Sequence, residues 1–251
     1  MKALEIINTR YTRIFFALSY IILGVAAAHL VGFAVPGLWA LPLVNAGLFF
    51  ILYQAPLRCG DYSGAVRLAL IWAVVTSLLQ IGLTLGWPGF MEWQIWRALE
   101  YREEMFGWVQ TGKGPEGDIR LFIPIHLKHF LIFSAVSLIS GGFLGLAMGS
   151  ALLGYMNFYV GCLLAEAANT MAAACLSWPV WAIVRVVGFI FAGTALGALL
   201  IHREGAGSEK YFRVRCLFGL ALVLMILDIV LKWALAGTYQ KLLNAALTHG
   251  G

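Results

Sequence analysis

Seven stretches of this chain each approach the ~20 apolar residues that a helix needs to cross a bilayer. They fall at about 14–34, 36–54, 65–86, 129–152, 154–175, 179–201 and 214–237, with ends read to within about 2–4 residues. Lipid offers no partner for backbone N–H and C=O groups, so continuous apolar runs of this length have to be helical. The expected fold is therefore all-α: a polytopic transmembrane helical bundle of about seven spans. Composition closes off the soluble alternative. The chain is 61% hydrophobic and 12% charged, whereas soluble domains carry roughly 25% charged residues. A chain of 251 residues could not enclose a core of that size in water.

The breaks between runs carry turn chemistry at Val35-Pro36-Gly37, Trp87-Pro88-Gly89, Gly154-Tyr155 and Ser177-Trp178-Pro179. Three regions result: a three-span membrane region over 1–86, an outer segment over 87–128, and a four-span membrane region over 129–251. Within the outer segment, MEWQIWRALEYREEMFGWVQ (91–110) mixes aromatic and charged residues and reads as one amphipathic helix lying in the membrane interface. GKGPEG then makes a turn, and DIRLFIPIHLKHF returns to the bilayer.

Basic residues orient the bundle. With the N-terminus cytoplasmic, Lys2, Arg10, Arg13, Arg58, Arg67, Arg203, Lys210, Arg213 and Arg215 all lie inside, while the outer segment carries no positive excess. Trp39, Trp87, Trp93, Trp96, Trp108, Trp178, Trp181 and Trp233 then gather at the outer face as an aromatic belt. The expected location is the inner (cytoplasmic) membrane, and the first run reads as a retained span, not a cleaved signal. The net charge of +5 follows this topology and carries no nucleic-acid signature. Cys59, Cys162, Cys175 and Cys216 are too scattered for a disulfide framework or a CxxC metal site. No cofactor or metal is expected. The expected partners are the bilayer and other membrane protein subunits, because so little of the chain lies outside the membrane.

Small residues mark expected packing faces. Gly141, Gly145 and Gly149 recur every four residues in the fourth run, and Gly193 and Gly197 do so in the sixth. Such stripes let helices approach closely in lipid.

Three charges fall deep in the expected spans: Glu166, Arg185 and Asp228. At about 1.5 Å per residue, Glu166 and Asp228 lie roughly 14 Å below the outer ends of their spans, and Arg185 roughly 9 Å below its own. A lone charge in hydrocarbon is costly, and one guanidinium can hold two carboxylates. The expectation is a Glu166–Arg185–Asp228 cluster, read either as a neutralised lock between helices or as a titrating site with one spare negative charge. Asn157, Asn169 and Gln80 are expected to hydrogen-bond between helices. A second candidate is an outer polar site of Glu100, Glu103, Glu104, His126 and His129, where two histidines share a helix face. It lacks HExxH and a third fixed ligand, so no metal is assigned.

Part of the chain resembles a known family. HLKHFLIFSAVSLISGGFLGLAMGSALLGYMNFYVG, the Asn157-x-x-x-Gly161 segment, WAIVRVVGFIFAGTALGALL and the acidic LVLMILDIVL are similar to the helices of stage II sporulation protein M-like multipass proteins, over about 126–240. Trp181 and Arg185 stand where that family usually has His and Glu, and the N-terminal half carries extra spans. The resemblance implies a non-enzymatic membrane component of a transport or envelope-associated assembly. A weaker likeness is to CAAX-type intramembrane proteases. Phe122-x-x-x-His126 fits one of their motifs, Glu103-Glu104 is followed by Trp108 where Arg is expected, and no His-x-x-x-Asn follows. The leading reading is thus a non-enzymatic subunit. A proton- or cation-coupled transporter using the charge cluster and an intramembrane hydrolase are the alternatives.

Overall fold

A computed structural model describes residues 2–35, 39–202 and 208–248; Pro36, Gly37 and Arg203 lie outside them. Ten helices follow one another without strands among the described residues: α1 (Lys2–Ala34), α2 (Ala40–Cys59), α3 (Tyr62–Gly86), α4 (Pro88–Gln94), α5 (Ala98–Thr111), α6 (Ile119–Ile139), α7 (Phe143–Glu166), α8 (Thr170–Leu176), α9 (Val180–Ile201) and α10 (Ser208–Thr248). Seven of them, α1–α3, α6, α7, α9 and α10, contain stretches long and apolar enough to cross a membrane. The all-helical bundle and the count of seven agree with the sequence. Broad apolar exposure along these helices, as at Phe16, Leu23, Leu78, Ile139 and Ile226, suits a lipid surround.

The short connections explain themselves locally. Gly60 takes a left-handed φ of 75° and returns its N–H to the Leu57 carbonyl, closing α2. The Asp61 side chain accepts from the Gly64 N–H and opens α3. Asp118 caps α6 in the same way through the Arg120 N–H. Pro88 starts α4, where its missing N–H has no helical partner to lose.

One end of the bundle is covered by α4, α5, α8 and the last third of α10; this is the capped end. The expected single interfacial helix is two, α4 and α5, separated by Ile95–Arg97, where Arg97 takes φ 57°. The buried face of α5 (Met105, Phe106, Trp108, Val109) packs with Tyr159, Trp181, Ala236 and Leu243 in one apolar cluster. The helix α10 reaches this cap because it runs for 41 residues. That makes a rod of about 60 Å, roughly twice a bilayer's hydrocarbon thickness. Gln240 donates to the Val109 carbonyl, and the Asn169 N–H donates to the Ala246 carbonyl.

The fourth and fifth spans lie elsewhere than expected. The chain turns at Ser140-Gly141-Gly142, not at Gly154-Tyr155, and the two spans are 119–139 and 143–166. Gly141 holds a φ of 63° and Gly142 a φ of 97°. This left-handed pair lets two helices reverse over a very short link, a conformation that a side chain would strain. The expected Gly141/Gly145/Gly149 face of one helix is therefore split. Gly141 belongs to the turn and lies so close to α9 that a Cβ on Gly197 would overlap its carbonyl. Gly145 backs onto Ser137 of α6, and Gly149 faces open space. Gly193 lies against Phe133 of α6. Another close approach of α7 is to α3, where a Cβ on Gly161 would overlap Thr84.

Candidate functional site

Moving that turn from Gly154-Tyr155 back to Ser140-Gly141-Gly142 shifts two groups in opposite directions along the helix axis. Glu166 becomes the last residue of α7 and sits at the capped end, half exposed, bonded to Arg102 of α5. The expected meeting of Glu166 with Arg185 and Asp228 does not occur. The physical reason is that α7 starts at Phe143 and has used its full length by Glu166, so the carboxylate emerges beyond the apolar layer. His126, expected at the boundary, is drawn into α6 and takes the vacated place.

Asp228 of α10 is fully buried between two bases. Arg185 of α9 donates through Nε at 3.3 Å, and Nδ1 of His126 lies 3.2 Å from the carboxylate. One turn further along α10, Lys232 is equally buried, 2.8 Å from Glu116 and 4.5 Å above the Phe122 ring. Thus α10 presents an acid and a base at i, i+4 on one face, each answered by an opposite charge from another element. Glu116 comes from the 112–118 loop, expected from the sequence as a turn. Burial raises its carboxyl, but the charges of Lys232 and Arg185 outweigh burial and hold it below the usual carboxylate range. The signal for Lys232 was in the sequence: a residue four positions from a buried acid shares its face.

Beside this layer α6, α7 and α9 line a cavity of 380 Å³, a size typical of small-molecule sites. Each helix contributes a regular stripe: Phe122, Ile125, His126, His129 and Phe133 from α6, Gly145, Gly149 and Leu152 from α7, and Ala182, Arg185, Phe189 and Gly193 from α9, with Gly142 of the turn beside them. Tyr53 and Trp72 line the part that reaches α2 and α3. Arg97, Tyr101 and Glu104 of the α4–α5 region, with Tyr155 of α7, rim the polar part. Burial, and then the Glu116 charge, push the Glu104 carboxyl above its usual range.

Of the other outer candidates, Glu104, His126 and His129 share this cavity, whereas Glu100 pairs with Arg97 and Glu103 faces away, exposed. Among the described residues no three His, Cys, Asp or Glu side chains are grouped to hold a metal. Asn157 donates to Gln80 at 2.7 Å and ties α7 to α3, while Asn169 caps α8 through the Ala172 N–H.

Fold and site together define a multipass helical membrane protein with a charged cavity inside its bundle. The chain matches no protein-family model, no curated protein and no solved structure.

Proposed function

We propose that the protein is a non-enzymatic integral membrane subunit of a transport or envelope-associated assembly, and that its working part is the cavity between α6, α7 and α9, which takes up a small molecule. The observation that carries this reading is a preformed intramembrane space, apolar along most of its wall and charged on one side. The likeness of 126–240 to stage II sporulation protein M-like proteins supports the same class. The exposed Trp87 and Trp93 beside the cap offer an aromatic surface to lipid or to a neighbouring subunit. By the distribution of Lys and Arg, the protein lies in the inner (cytoplasmic) membrane with its N-terminus cytoplasmic and its cap outside. An impermeant amine reagent is then expected to label Lys113 from the outer side; labelling only in inverted vesicles would reverse the orientation.

A second reading, proton- or cation-coupled transport, draws on Asp228 held between Arg185 and His126, since intramembrane acids of this kind form proton relays. The two readings part in proteoliposomes. The protein alone is expected to leave an imposed pH gradient intact. Dissipation that vanishes in Asp228→Asn and survives in Glu166→Gln would establish coupled transport instead.

A further inference from the structure

We propose that the cavity binds a single-chain anionic amphiphile, its carboxylate or phosphate head against Arg185 and His129 and its hydrocarbon chain along Gly149, Phe133 and Phe189. This deepens the reading of the cavity as a small-molecule site and rests on it.

Three observations converge. First, Arg185 is only partly used. Its guanidinium meets Asp228 through Nε, and its side chain keeps 27% of its surface exposed while lining the cavity. A guanidinium has several donors to spare, and the pair of terminal nitrogens forms the fork that grips a carboxylate or phosphate bidentately. Second, a further cation lines the cavity. Arg97 is matched by Glu100, and Glu116 by Lys232. Lys128 lines the same space and forms no ion pair among the described residues. The other acid among the described lining residues, Glu104, sits on the rim with Arg97 and Tyr101. Third, the remainder of the wall is hydrocarbon and aromatic. Gly149 keeps it open: a Cβ built there meets nothing within 4 Å. A tightly packed interior leaves few such voids.

Size sets the chain number. A water molecule takes up about 30 Å³ of the liquid. By that measure the cavity of 380 Å³ holds roughly a dozen heavy groups. That accommodates much of one alkyl or isoprenoid chain. The chain enters the apolar space for the ordinary hydrophobic gain on leaving water. The head gains charge-assisted hydrogen bonds in a low-dielectric setting.

The test is equilibrium binding of palmitate, hexadecyl phosphate, hexadecanol and inorganic phosphate to the full-length protein in a neutral detergent. Palmitate and hexadecyl phosphate are expected to bind at one molecule per chain, with hexadecanol about tenfold weaker for want of one charge-assisted bond. The paired variant Arg185→Gln/Asp228→Asn removes the fork without orphaning a buried acid, and Lys128→Gln serves as a second variant outside that pair. The paired variant is expected to bring both anions to the level of hexadecanol, and Lys128→Gln to weaken them by a smaller factor. Gly149→Leu is expected to weaken all three chains. Hexadecanol binding as tightly as palmitate would overturn the anionic assignment while leaving the cavity a ligand site. Inorganic phosphate competing as well as hexadecyl phosphate would overturn the amphiphile. If Gly149→Leu folds and changes the binding of none of the three chains, the cavity reading falls as well.

Discussion

Asp228 and Glu166 are both acids set in apolar helix, and their sequence surroundings look alike, yet the bundle treats them oppositely. Asp228 has no exposed surface and meets a base on each of two neighbouring helices. Glu166 is half exposed and meets one arginine across the cap. A charge's distance from the nearest apolar run is therefore a poor measure of depth. What sets depth is where the chain turns, since each misplaced residue shifts the following helix by about 1.5 Å along its axis. The difference also separates two kinds of pairing. A buried pair broken on one side leaves an uncompensated charge in a low-dielectric interior, whereas a pair open to solvent is worth about 0–1 kcal/mol.

That contrast can be tested in order of expected effect. Asp228→Asn removes the carboxylate shared by Arg185 and His126. It is expected to destabilise the bundle by about 3–5 kcal/mol, the usual cost of breaking a buried pair. Reversible unfolding in mixed micelles would measure it, and a loss under about 1 kcal/mol, the range of solvent-open pairs, would erase the distinction from Glu166.

Glu116→Gln comes next, at about 2–3 kcal/mol near neutral pH, because it leaves Lys232 without its counter-charge. Here pH sharpens the result. The Glu116 carboxyl lies below its usual value in the folded protein, since Lys232 and Arg185, with a smaller share from His126, outweigh its burial. A depressed acid contributes stability above its unfolded value, and that stability is lost as pH falls through the folded one. The wild-type protein should therefore lose its advantage over Glu116→Gln on acidification below the carboxylate range. A gap between the two that persists undiminished well below that range would show that the ion pair is not its source.

Glu166→Gln is expected to cost less than about 1 kcal/mol, and added salt should shrink even that. Parity with Asp228→Asn would mean that the two acids share one buried cluster after all.

How much of this was legible in the sequence follows from the same turn. The membrane class, the helical architecture and the number of spans could be read because hydrocarbon thickness leaves one solution for long apolar runs. Arg185 and Asp228 could be matched because both lie well inside runs whose ends are marked, by Pro179 before α9 and by charged residues before the apolar part of α10. The α6–α7 reversal could not be placed so easily. From Phe130 to Met156 there is no proline, charge or amide side chain, and the glycines that make the turn also satisfy the spacing of a packing stripe. Ser140-Gly141-Gly142 was the available turn signal, outweighed by the periodicity around it. With the reversal misplaced, His126 was left at the boundary and the cavity had no visible wall. The cavity itself depends on how several helices pack, which is a tertiary property with no local signature. Glu116 escaped notice for a related reason: its neighbours GKGP and Gly117 describe a loop, and nothing local says that the loop dips into the bundle.

The length of α10 has a mechanical consequence. Met225, Asp228, Lys232 and Gln240 ride on one unbroken hydrogen-bonded rod with no proline to act as a joint. The loop that covers one end and the ion pairs buried midway are thus attached to the same strut. A pull on the cap is carried along this rod to Asp228, and through its ion pair to Arg185 in the chamber's wall.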